Sequence, residues 1–146
     1  MMTVSKVLVP VDFSEHSKRA LDSARTIAEK FGASLHLLTV IPDPFILPDP
    51  GSWYMPLPPG YIDGLRQDAE SHLRELLTPD DQSRFHATLT VALGDPYAEI
   101  LDYVKRMSID LIVMGTHGRG GVARAFLGSV AEKVVRTAPC PVLTVR

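Results

Sequence analysis

Only one cysteine, Cys140, occurs in the 146 residues. An internal disulfide is therefore impossible, and a reducing compartment suits the chain. Between Pro139 and Pro141 the thiol reads as a small hydrophobe, since no neighbour in sequence activates it. Long apolar runs are missing as well. None approaches the roughly 18 residues that a membrane-spanning helix needs. The start, Met1-Met2-Thr3-Val4-Ser5-Lys6, leads straight toward a strand without the pattern of a signal peptide. A cytoplasmic location is the expectation. Nor is one sign of charge in excess: 15 Lys and Arg stand against 17 Asp and Glu, a net charge of −2. No basic cluster resembles a nucleic-acid footprint, so neither nucleic acid nor membrane is an expected partner. Two nucleotide signatures are absent too, the P-loop Gly-Lys-Ser/Thr and the dinucleotide Gly-x-Gly-x-x-Gly. His16, His36, His72 and His86 show no metal-ligand spacing and read as structural or solvated.

What is present is an ordinary globular composition, 45% hydrophobic and 22% charged, at a length that suits one domain over residues 1–146. Short apolar runs alternate with helical patterns. Val7 to Val11 is a buried-strand candidate, although Pro10 removes a ladder donor. That strand is expected to stop effectively near Val9 and free the following backbone for a ligand. A helix over 15–31 carries Ala20, Leu21, Ala24, Ile27, Ala28 and Phe31 at helical spacing, with Ser14 as N-cap and Gly32 as terminator. The second strand covers 33–41. A second helix spans 61–77, with Pro79 just beyond it. Residues 85–93 alternate strictly between apolar and polar, which marks a half-exposed edge strand. Asp95 and Pro96 open a helix that runs to Met107, and 141–146 form a last strand. This β-α repetition predicts a three-layer, doubly wound α/β fold with a five-stranded parallel sheet.

Between the second strand and the second helix, residues 42–60 hold seven of the twelve prolines, with Trp53, Tyr54 and Met55 in their middle. So long a connection is either a lid or docking surface, or a loop that pins its aromatics onto the body.

The most informative stretch is 110–130. Leu111 to Met114 form a short apolar run that ends on Gly115, and Ser129 opens a helical pattern. Strand, glycine-rich loop and helix N-terminus together make a place for an anion, because the first helical amides lack partners and sit at the positive end of the helix dipole. The spacing is Gly115, two residues, Gly118, nine residues, Gly128-Ser129. One reading is a plain glycine turn with Ser129 as N-cap. The other is a phosphate cradle, favoured by the donors of His117, Arg119 and Arg124. In open parallel sheets ligands sit at strand carboxyl ends where the strand order reverses. That rule sets Asp12 and the glycine loop on one pocket. Asp12 alone could equally be a turn or cap residue.

Val9-Pro-Val-Asp12-Phe-Ser14, Gly115-Thr-His-Gly118 and Gly128-Ser129 together resemble the universal stress protein family, in its ATP-binding branch. The resemblance covers the whole chain. It implies an adenine nucleotide α-hydrolase-like fold with strand order 3-2-1-4-5, and ATP, or ADP or AMP, as ligand. Asp12 would bind the ribose or adenine end, and the backbone near Pro10, Val11 and Val40 would hold adenine. Met114 and Gly115 would line the nucleotide. His117, Gly118, Gly128, Ser129 and Val130 would surround the phosphates, with Arg119 in the local form of the loop. Mg²⁺ or Mn²⁺ would bridge phosphate oxygens, mostly through water. Family members commonly dimerise through the last strand, here 141–146, whose unpaired edge invites a symmetric partner. The expected role is a dimeric stress-response or signalling module. A slow ATPase and a nucleotide-independent adaptor docking through 42–60 are the alternatives. No general base and no P-loop lysine present themselves, so at most slow hydrolysis is expected.

Overall fold

A computed structural model describes residues 2–43, 56–117 and 128–146. The first strand, β1 (Lys6–Pro10), is buried at its three central residues. Its start is held by Asp110, whose Oδ2 accepts the Ser5 and Lys6 amides at 2.9 Å each. The long helix α1 (Glu15–Phe31) begins at Ser14, whose Oγ accepts the Ser17 amide, and ends at Gly32 with φ 66°. That left-handed turn costs glycine nothing sterically. The chain then forms β2 (Ser34–Ile41), α2 (Tyr61–Glu75), α3 (Pro79–Arg84), β3 (Thr88–Leu93), α4 (Pro96–Met107), β4 (Leu111–Gly115), α5 (Ser129–Thr137) and β5 (Val142–Val145).

The strands form one parallel sheet in the order β3-β2-β1-β4-β5. Strand side chains alternate between its two faces. Val7, Val9, Leu35 and Leu37 pack on one face with Ala20, Leu21 and Ala24 of α1 and Leu73 of α2. Leu8, Leu38, Ile112 and Met114 pack on the other with Ile100, Tyr103 and Val104 of α4 and Ala131 and Val134 of α5. Helices thus cover both faces, and the central strands read as continuous apolar runs because neither face meets water.

Several boundaries differ from expectation. The first strand does not stop near Val9: Pro10 pairs with Leu38, and the Val11 amide donates to Leu38 O at 2.8 Å. Backbone groups alternate sides along a strand, so the Pro10 nitrogen faces β4, where no donor is required. Pairing of β1 with β4 is recorded only at Val7↔Leu111 and Leu8↔Ile112. Pro79 does not merely follow the second helix, which ends at Glu75. It is the first residue of α3, capped by Thr78, whose side chain accepts the Asp81 amide. That short helix uses up Phe85, and β3 therefore starts at Thr88 rather than 85. It lies at the sheet edge as its alternation indicated.

Candidate functional site

Beyond Leu8 the carboxyl ends of β1 and β4 part, because the chain leaves β1 toward β2 and leaves β4 toward β5. The crevice so formed is a cleft of about 810 Å³. Its floor is the ends of β1, β2 and β4, and its rims are the first turn of α5, the start of α4 and one side of α2.

After β1 the chain turns sharply through Phe13, at φ 63°. Asp12 stabilises this turn: its Oδ1 accepts the Ser14 amide at 3.0 Å and the Ser14 hydroxyl at 2.5 Å. An acid that binds backbone two residues on is a turn residue, yet Asp12 also lines the cleft.

At β4 the chain is pinned at both ends of an excursion. The Thr116 amide donates to Val145 O at 2.9 Å, and Thr116 O accepts the Gly128 amide. Residues 118–127 between them, with Gly118, Arg119 and Arg124, lie outside the described residues. The N-cap of α5 is Gly128, not Ser129, and it provides no side-chain acceptor. The first helical bond runs from the Glu132 amide to Gly128 O. The amides of Ser129, Val130 and Ala131 precede that bond and have no intrahelical partner. All three residues line the cleft. In contrast, α1, α3 and α4 carry side-chain caps from Ser14, Thr78 and Asp95.

Of the sequence-derived site residues, Pro10, Val11, Asp12, Val40, Met114, Gly115, His117, Gly128, Ser129 and Val130 all line this one cleft. The sequence model described as the Universal stress protein family matches residues 3–146. The chain belongs to the universal stress protein family. A universal stress protein of Methanocaldococcus jannaschii is 34% identical over 143 residues, covering 97% of this chain and 81% of that protein. Among solved structures, the universal stress protein UspA from Lactobacillus plantarum superposes with a TM-score of 0.77 at 28% identity, covering 99% of both chains. A universal stress protein in complex with cAMP superposes with a TM-score of 0.66 at 25% identity, covering 99% of this chain and 98% of that one.

In this universal stress protein the cleft is also lined by residues that spacing did not mark. Tyr61, Leu65, Asp68 and His72 bring one side of α2 to the rim, and His72 meets the Phe13 ring edge-on at 5.5 Å between centroids. Pro42 and Tyr61, at the two ends of the proline-rich connection, both line the cleft. Trp53, Tyr54 and Met55 lie outside the described residues. Gly115 has a packing reason to be small. A Cβ there would meet the backbone carbon and Cβ of His16 at 2.8 Å each, because the first turn of α1 presses on the end of β4. His16 in turn lies against His117, ring centroids 4.8 Å apart and planes tilted by 40°. The His117 Nδ1 bonds Thr116 Oγ1 at 2.9 Å.

His36 behaves as read from sequence. It is buried, and its Nδ1 meets the Tyr103 hydroxyl at 2.8 Å. Burial, then the Lys6 charge, pushes its pKa below the ordinary 6.5. Burial raises the Tyr103 phenol. The pair ties α4, and with it Pro96 and Ile100 at the rim, to the floor strand β2. Burial, then the Asp110 charge, likewise raises the Cys140 thiol, which agrees with an unreactive cysteine. Among the described residues no group of three or more His, Cys, Asp and Glu could hold a metal ion. No helix among them is long and apolar enough to cross a membrane.

Proposed function

We propose that this universal stress protein binds an adenine nucleotide, ATP or its ADP and AMP products, in the cleft between β1 and β4. The observation that carries the reading is the uncapped N-terminus of α5, whose first three residues line a cleft at the strand-order reversal. Three amides at the positive end of a helix dipole suit phosphate oxygens. Apolar Val11, Leu38, Val40, Ile100 and Met114 line the same space and suit a purine face. The structural relative in complex with cAMP supports an adenine nucleotide over other anions.

In this reading Asp12 accepts from ribose hydroxyls or the adenine amine, and the backbone of Pro10, Val11 and Val40 holds the base. Met114 and Gly115 line the nucleotide, while His117, Gly118, Arg119, Gly128, Ser129 and Val130 take the phosphates. A divalent cation, Mg²⁺ or Mn²⁺, would be held chiefly by phosphate oxygens and water, since the carboxylates of the described cleft lining are those of Asp12 and Asp68 alone. Among the described residues no lysine lines the cleft, so hydrolysis is at most slow.

The chain acts as one domain and forms a homodimer in the cytoplasm. Its pairing edge is β5, which among the described residues has a neighbour on one side only and leaves Leu143 41% exposed. Bound nucleotide would then report to a stress or signalling partner. Calorimetric titration with ATP, AMP and cAMP, with and without Mg²⁺, tests the reading. Saturable binding of one nucleotide per chain is expected, and no heat at millimolar nucleotide overturns it.

A further inference from the structure

Phe13 sits in the left-handed backbone region, at φ 63°. Its Cβ makes that conformation costly, and a bulky side chain rarely accepts it. Among the described residues His86 and Ser108 share the feature, but Phe13 alone of the three lines the cleft. Ser108 is the C-cap of α4, where a left-handed residue is common. A strained backbone persists only where its surroundings over-determine it. Here the ring supplies the constraint. It is half-buried, packs against the core between the sheet and helices α1 and α2, and meets the His72 ring edge-on at 5.5 Å between centroids. His72 belongs to the side of α2 that brings Leu65 and Asp68 to the cleft.

The turn bears directly on Asp12. The bonds that the Ser14 amide and hydroxyl donate to Asp12 Oδ1 span Phe13 alone. The conformation of that one residue therefore decides whether they form. An extended Phe13 would carry Ser14 away from Asp12. The same bonds hold the carboxylate where it lines the cleft. We propose that Phe13 is a positioning residue for nucleotide binding: its ring, seated on His72 and the core, locks the left-handed turn and so presents the Asp12 carboxylate to the sugar or base of the ligand. The inference rests on the nucleotide reading above. Phe13 acts through Asp12 and leaves the phosphate end of the cleft untouched. Glycine would relieve the steric cost, but it populates positive and negative φ about equally. The competent turn would then be one state among several, and apparent affinity falls by that fraction.

Calorimetric titration of ATP into the wild type, Phe13→Gly, Asp12→Ala and the double variant tests this. Phe13→Gly should weaken ATP binding roughly three- to tenfold. In the Asp12→Ala background the same substitution should change affinity by less than about twofold, because the group it positions is gone. Inorganic tripolyphosphate, with neither sugar nor base, should bind Phe13→Gly and wild type alike. His72→Ala, at an exposed position, removes the edge contact without opening the core and should weaken ATP binding only where Asp12 is present. A ring that served the fold alone would lower the melting temperature and leave the ATP affinity of the folded protein unchanged. The inference is overturned by Phe13→Gly protein that binds ATP like the wild type, by an equal loss with and without Asp12, or by tripolyphosphate losing as much as ATP. Absence of ATP binding by the wild type would instead overturn the nucleotide reading.

Discussion

Replacing Gly128 with aspartate should move stability and nucleotide affinity in opposite directions. Gly128 is the N-cap of α5, at φ −59° and ψ 155°, a conformation open to any residue and usual for capping side chains. At the start of α4 the equivalent Asp95, at φ −78° and ψ 123°, accepts the Ala98 amide at 2.9 Å. An aspartate at 128 would reach the amides of α5 in the same way. Relative to glycine the cap gains a few tenths of a kcal/mol, and a carboxylate at the positive end of the dipole adds about 0.3–1 kcal/mol. The free protein should therefore melt roughly 1–4 °C higher. The same carboxylate occupies amides that a phosphate needs and repels its charge. Losing one charge-assisted hydrogen bond costs about 1.5–3 kcal/mol, so ATP affinity should fall roughly 10- to 150-fold. Adenosine, which has no phosphate, should bind as before. Gly128→Ala adds a Cβ without an acceptor and isolates the steric part of the effect. Thermal melts and calorimetric titrations of the three proteins read both quantities. An aspartate variant that binds ATP like the wild type, or that melts lower, would refute the view that these amides lack a cap because a ligand supplies it.

Further outcomes follow from the packing and from the sheet edge. Gly115→Ala should destabilise by about 1–3 kcal/mol, because its Cβ would meet His16 backbone and Cβ atoms that cannot swing aside. Gly64→Ala, in α2 with nothing within 4 Å, should stabilise by about 0.5–1 kcal/mol; urea midpoints that shift in the same direction would sink the distinction. For His36 the folded pKa is lowered, so the unfolded chain binds its proton first as pH falls. The stability this neutral ring contributes is present above 6.5 and is lost as pH drops through the lowered folded value. Urea unfolding between about pH 7.5 and 5 should show that loss, and His36→Gln should flatten it. Tyr103→Phe, which strands the His36 nitrogen, should cost about 1–2 kcal/mol at neutral pH. Leu143→Arg should turn a dimer into a monomer by light scattering, since a charge would then sit on the proposed pairing edge; an unchanged mass would place the interface elsewhere.

Much of the fold was legible because its signals are local. Ser14, Gly32, Asp95 and Pro96 mark helix ends by their own conformational preferences, and each stands where expected. Leu111 to Met114 announce a strand buried on both faces, and all four are buried. The misplaced boundaries were local too. Thr78-Pro79-Asp80-Asp81 is as good a helix start as Asp95-Pro96, but a proline after a helical pattern reads first as a stop. The early end given to β1 came from Pro10, whose missing donor is harmless because it faces the gap beside β4 rather than β2.

The sequence by itself determined the five strands and every helix but α3, that the strands run parallel, and that a glycine-rich loop leads into a helix with spare amides. These follow from hydrophobic periodicity and from the chemistry of single residues, which act over a few positions. Only the tertiary structure decided that His16 presses on Gly115 and His117, that α2 contributes Asp68 and His72 to the cleft, and that Thr116 holds Gly128 so α5 opens into it. Those contacts join residues far apart in the chain. They exist because the sheet order sets β1 beside β4, far along the chain, as well as beside β2, and no local pattern carries that information.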